Sequence, residues 1–172
     1  MAQSQKGQER RIVVGVDGSL ASKAALAWAV GQAARTDAVV EVVTAYYWFP
    51  MPIEELDFEG LAMHVAEDAI LDAADRGPPV KISSKVVQGN AAQALLEAAC
   101  GAELLVVGSR GHGSLTGALL GSVSQQCVHH ATCPVVVVRD SGTGKPERSA
   151  VAARQPLRLS DVQLHGLAEG PG

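Results

Sequence analysis

Glu103-Leu-Leu-Val-Val-Gly108-Ser-Arg-Gly111-His-Gly-Ser-Leu-Thr-Gly117-Ala-Leu-Leu-Gly121-Ser122 runs from a short aliphatic stretch, through a glycine-rich loop, towards a second ordered element. Leu104–Val107 reads as a buried strand, because it is uninterrupted apolar sequence between a charge and a glycine. From Gly121 to about Ala131 the chain reads as a helix. Between them lie Gly108, Gly111, Gly113, Gly117 and Gly121, a density that costs backbone entropy unless close approach is needed. A loop that opens at a helix N-terminus turns backbone N–H groups towards an anion. Gly108 and Gly111 permit close backbone approach and positive φ, with Ser122 and Ser124 adding hydroxyl donors in the first turn. The segment reads as a phosphate cradle.

Outward from it, strand-like runs alternate with helical patterns, the arrangement that produces a parallel sheet with helices on both faces. Ile12–Val16 is the first strand. Ser19 and Ser22 are cap candidates for a helix to about Arg35, with Leu26, Ala29, Val30 and Ala33 as its buried stripe. Val39–Ala45 is the second strand. After Pro50 and Pro52 a helix spans about Glu54 to Asp75, burying Ala62, Val65, Ala66, Ala69 and Ala73, and Gly77-Pro-Pro79 ends it. Val80–Val87 alternates in part and suits an edge strand, Ala91–Cys100 is the third helix, and Val135–Val138 is the last strand. The expectation is α/β: a single doubly wound domain whose five-stranded parallel sheet, in order 3-2-1-4-5, is flanked by four helices. Its crevice falls between strands one and four, where Asp17 and the loop after Gly108 meet.

Competing motifs fit the same residues worse. A Walker loop requires Gly-x4-Gly-Lys, but Gly144-Lys145 has no glycine five positions earlier and is followed by Pro146. A dinucleotide fingerprint starting at Gly111 and Gly113 places Thr116 where its third glycine belongs. A hydrolase elbow at Ser109 has Val107 in place of its first glycine. Composition agrees with one domain: 172 residues, 47% hydrophobic but only 3% aromatic, imply an aliphatic, alanine-rich core. A net charge of −4 with scattered basic residues argues against nucleic-acid or anionic-membrane partners. The polar N-terminus lacks a signal-peptide core and no apolar run reaches a membrane span, so a cytoplasmic location is expected.

Gly-x-x-Gly, nine residues, then Gly-Ser resembles the ATP-binding signature of the universal stress protein family: Gly108 to Gly111, residues 112–120, then Gly121-Ser122. Pro134-Val-Val-Val-Val-Arg139 and the first strand with its acidic turn, Arg11-Ile-Val-Val-Gly15-Val-Asp17-Gly-Ser19, extend the resemblance over roughly residues 10–139. Residues 1–9 are then a flexible N-terminus and 140–172 a mobile tail. The resemblance implies a nucleotide site formed by Gly15, Val16, Asp17, Ala45, Val107, Gly108, Arg110, Gly111, Gly121, Ser122, Val123 and Ser124. ATP is the implied ligand, with Asp17 contacting the nucleotide ribose or binding a phosphate-associated magnesium ion, and Ala45 is the position whose backbone meets adenine. Asp17 can equally cap the first helix, and Arg110, inside the glycine loop, can approach a polyphosphate; His112 is a weaker candidate.

The resemblance further implies a homodimer joined through Val135–Val138. Independently, that strand is apolar on both faces and would otherwise be an exposed edge. The alternative is that the tail folds back over it, using Leu157, Leu159, Val162, Leu164 and Leu167. Cys127, His129, His130 and Cys133 crowd one helix end, but their helical spacing splits them between faces and disfavours zinc; with Cys100 they leave an odd number of thiols, consistent with a reducing compartment. No nucleophile or catalytic carboxylate pair is evident. The functional expectation is a nucleotide-gated homodimeric regulator in stress adaptation, with at most slow ATP hydrolysis. A weak magnesium-dependent hydrolase, a nucleotide-free scaffold and a cyclic AMP or AMP binder are the alternatives.

Overall fold

The computed structural model describes residues 9–47, 57–111 and 120–140, and a strand at 162–164. In chain order the elements are β1 (Arg11–Gly15), α1 (Leu20–Thr36), β2 (Val39–Tyr46), α2 (Phe58–Arg76), β3 (Ile82–Gln88), α3 (Ala91–Ala98), β4 (Leu104–Gly108), α4 (Ser122–His130), β5 (Val135–Val138) and β6 (Val162–Leu164). The sheet runs β5-β4-β1-β2-β3-β6 with every pairing parallel. Its first five strands have the expected order 3-2-1-4-5. The sixth was not expected: β6 comes from the tail and lies beside β3, with Ser83 opposite Gln163. This is the sheet edge opposite β5, so this piece of the tail does not cover the β5 edge. The rest of the tail, the N-terminal residues 1–8, Pro50, Pro52, the expected start of the second helix at Glu54, and His112 lie outside the described residues.

Sequence periodicity places the layers. Ile12, Val14, Val40 and Val42 point from the sheet towards α1 and α2, where Leu26, Ala29, Val30, Ala66, Ala69 and Ala73 complete one core cluster. Val13, Val43, Leu105 and Val107 point the other way, against Ala94, Leu95, Ala98 and Cys127 of α3 and α4. Strand residues buried on alternating faces in this way account for uninterrupted valine runs. Each buried Val, Leu or Ile contributes roughly 1.5–3 kcal/mol. The alanine stripe allows close packing. Ala21, Ala25, Ala29 and Ala33 are all buried on α1, and a Cβ placed at Gly108 would meet the backbone of Ala21 at 2.8 Å and of Ser22 at 2.9 Å.

Helix ends follow local chemistry. The Ser19 side chain accepts from the Ser22 N–H and caps α1. Asp57 caps α2 by accepting from the Gly60 N–H, and Asn90 caps α3 by accepting from the Gln93 N–H. Asp37, in the left-handed region at φ 52°, closes α1. In contrast, α4 starts at Gly121 and has no side-chain cap.

Candidate functional site

At the carboxyl ends of the strands, a cavity of about 800 Å³ opens between β1 and β4, where the reversal of strand order leaves a crevice. Four segments carry the residues expected from the sequence, and α1 and α3 add to the lining. The end of β1 and its turn supply Gly15, Val16 and Asp17; β2 supplies Val43, Ala45 and, just beyond the strand, Tyr47; β4 and the glycine loop supply Val107, Gly108, Arg110 and Gly111; α4 supplies Gly121, Ser122, Val123 and Ser124. All twelve residues proposed from the sequence therefore line a single cavity. Ser22, Val43, Tyr47, Ala91 and Leu95 also line it and were not foreseen. A signal existed for two of them: Val43 and Tyr47 share with Ala45 the two-residue period of one strand face. For Ala91 and Leu95, only the docking of α3 against β2 and β1 decides.

The β1 turn and the glycine loop are tied together. The Asp17 carboxylate accepts from the Ser19 N–H at 3.0 Å, while the Asp17 N–H donates to the Ser22 hydroxyl at 3.3 Å. Ser19 donates its hydroxyl to the Arg110 carbonyl at 3.4 Å. Gly111 lies so close to Asp17 that an added Cβ would overlap its carboxylate. The helix-capping role considered for Asp17 thus belongs to Ser19, and Asp17 braces the turn before it, presenting an exposed carboxylate.

The positive φ that Gly108 and Gly111 permit is not used: among the described glycines it occurs at Gly18, Gly89 and Gly101. Gly108 and Gly111 are glycine because a side chain would strike α1 or Asp17. Nor is the Ser124 hydroxyl poised towards a ligand: it is buried and donates to the Gly121 and Ser109 carbonyls, at 2.9 and 3.2 Å. With the Gly121 N–H donating to the Ser109 carbonyl at 2.7 Å, this clamps α4 to the end of β4. Ser122 stays exposed.

The cavity is chemically two-ended. Val43, Ala45, Tyr47, Ala91 and Leu95 make an apolar end, and a Cβ at Gly15 would strike Leu95 at 2.9 Å, so the leucine seats directly on β1. Asp17, Arg110, Gly111 and the start of α4 make the polar end. There the uncapped helix terminus and the Arg110 guanidinium favour negative charge. Asp17 beside them is a hard oxygen donor of the kind that holds magnesium together with phosphate oxygens.

Metal binding by side chains alone has no support elsewhere: among the described residues no group of three His, Cys, Asp or Glu side chains converges. Cys127 is buried in the α3–α4 layer, and desolvation, with Cys133 nearby, pushes its thiol up to about 11. Burial raises Cys133 as well. Tyr46, on the opposite strand face from Tyr47, bonds Glu59 at 3.5 Å; burial first and that carboxylate second raise its phenol. No helix among the described residues is long and apolar enough to cross a membrane.

The parallel order 3-2-1-4-5 of β1–β5, with a crevice where the order reverses, defines the doubly wound class of α/β domain. The sequence profile described as the universal stress protein family matches residues 9–139, and the chain belongs to that family. It is 38% identical over 144 residues to universal stress protein Rv2005c of Mycobacterium tuberculosis, an alignment covering 78% of this chain and 47% of the relative. The chain thus spans about half the length of the curated relatives it matches. A universal stress protein solved in complex with cAMP is similar over 76% of this chain and 97% of its own, with 30% identity and a TM-score of 0.61. An Arabidopsis thaliana family protein with AMP bound shares the fold at 22% identity, TM-score 0.56, over 81% of this chain and 97% of its own.

Proposed function

We propose that this chain is an adenine-nucleotide binder, with ATP as ligand, whose occupancy shifts the conformation or partner affinity of a homodimer in stress adaptation. The observation that carries the reading is the convergence of Gly108, Arg110, Gly111, the uncapped start of α4 and Asp17 at one end of a cavity whose other end is apolar. Phosphates are accommodated at the first end by backbone donors and the guanidinium, and a base at the second by Ala45, Ala91 and Leu95. The cAMP and AMP complexes of related proteins support an adenine ligand. Where ATP carries magnesium, Asp17 is the carboxylate in position to help hold it.

Binding rather than turnover is the reading because the described lining offers neither a paired catalytic carboxylate nor a base–nucleophile couple. A slow magnesium-dependent hydrolase is the second reading, favoured only by Asp17 at the polar end. We place the dimer contact at β5, whose outer edge pairs with nothing among the described residues. A cytoplasmic setting accords with three free cysteines, Cys100, Cys127 and Cys133.

Calorimetric titration of nucleotide-stripped protein with magnesium ATP, AMP and cyclic AMP, run beside a phosphate-release assay, tests this. Micromolar ATP binding without release is expected. Steady release abolished by Asp17→Ala moves the assignment to the hydrolase, and no binding to any of the three leaves the loop structural and the scaffold reading standing.

A further inference from the structure

We propose that Tyr47 recognises the base of the bound nucleotide by stacking its ring on it, closing the apolar end of the cavity. This deepens the adenine-nucleotide reading and rests on it. Strand geometry puts the ring there: Val43, Ala45 and Tyr47 follow the two-residue period of one face and all line the cavity. Val42 instead enters the α1–α2 core, and Tyr46 reaches Glu59. Val43 pairs with Gly15, and β2 lies on the side of β1 opposite β4, so Tyr47, just past the end of β2, stands on the flank of the cavity across from the β4 glycine loop.

Tyr47 is the one aromatic side chain lining the cavity among the described residues, and it is 52% exposed. Its ring therefore has a face to offer, and covering that face with a planar base removes apolar area from water on both partners. Ala45, two residues earlier on the same strand face, is small, and Ala91 and Leu95 of α3 line the same cavity with apolar side chains. Stacking of this kind tolerates any base but strengthens with ring area, so the residue sets affinity for the base while the glycine loop sets affinity for phosphate.

The test uses the full chain. Calorimetry compares wild type, Tyr47→Ala and Tyr47→Phe with magnesium ATP, and proton NMR follows the Tyr47 ring during wild-type titration. Expected are a loss on the order of 5- to 100-fold for Tyr47→Ala, affinity retained within about twofold for Tyr47→Phe because the π face survives, and an upfield shift of the ring resonances at saturation. Unchanged thermal midpoints of the ligand-free variants exclude unfolding as the cause. Wild-type affinity in Tyr47→Ala, or equal loss in both variants, overturns the stacking role while leaving nucleotide binding intact. Failure of wild type itself to bind any adenine nucleotide overturns both.

Discussion

Gly108, Gly111 and Gly121 show how one residue type serves three purposes in a single loop. At Gly108 the constraint is structural, since the atoms a Cβ would strike at 2.8 and 2.9 Å are backbone of α1 and cannot swing aside. Gly108→Ala is expected to destabilise the fold by about 1–3 kcal/mol through this overpacking, measured by urea unfolding. At Gly121 the nearest atom to an added Cβ is Arg110 Cα at 3.5 Å, an ordinary contact, and φ is −73°. Gly121→Val should therefore keep its unfolding midpoint and lose more than about tenfold in ATP affinity, because the branched side chain enters the space assigned to phosphate; a lost fold would refute this. At Gly111 the neighbour is the Asp17 carboxylate, linking loop and turn. That glycine matters here was legible from spacing. Which glycine serves stability and which serves the ligand was not, because the crowding atoms come from a helix more than eighty residues earlier.

Among elements, α1 and α4 meet the cavity in opposite states. The α1 terminus is closed by Ser19, whose hydroxyl also reaches the Arg110 carbonyl. Ser19→Ala is expected to cost about 1 kcal/mol in chemical unfolding, and to loosen the loop enough to weaken ATP binding in calorimetry. In α4, buried Cys127 carries a thiol raised from 9.0 to about 11. The unfolded chain ionises first as pH rises, so the folded state binds the extra proton and stability declines between about pH 9 and 11. Unfolding midpoints of wild type should fall across that window more steeply than those of Cys127→Ala. Element order and the type of every element through β5 could be read from hydrophobic period and turn residues: Leu26, Ala29, Val30 and Ala33 were foreseen on α1 and are buried, while on α2 Val65 is only half-buried and Ile70, not foreseen, enters the core. Most boundaries moved by a residue or two, as with β3, which begins at Ile82 rather than Val80, but α2 begins at Phe58, four residues after the expected Glu54, because Asp57 caps it.

For the whole molecule the two sheet edges have different fates. The Pro134 and Val138 carbonyls accept from the Leu105 and Ser109 N–H groups, so by strand alternation Val135 and Val137 turn their N–H and C=O groups outward. Under the dimer proposal, Val137→Pro removes an outward donor while sparing the ladder to β4. It should shift sedimentation from dimer to monomer, and an unchanged dimer would place the contact elsewhere. The β3 edge is instead occupied by β6 from the tail. A tail rich in glycine, proline and charge gave no periodic signal over Val162–Leu164, since three residues are too few to show a period and their partner strand supplies the pairing.

Chain-local information, the alternation of apolar runs and the spacing of Gly108, Gly111 and Gly121, was sufficient for the parallel α/β order and for the loop that opens on α4, because period and turn chemistry act over a few residues. Long-range packing was needed to bring α3 over Gly15, to set Gly111 against Asp17, to turn the Ser124 hydroxyl inward and to leave Tyr47 at the cavity's apolar end. Those outcomes depend on which surfaces meet, a three-dimensional property with no signature in a linear pattern.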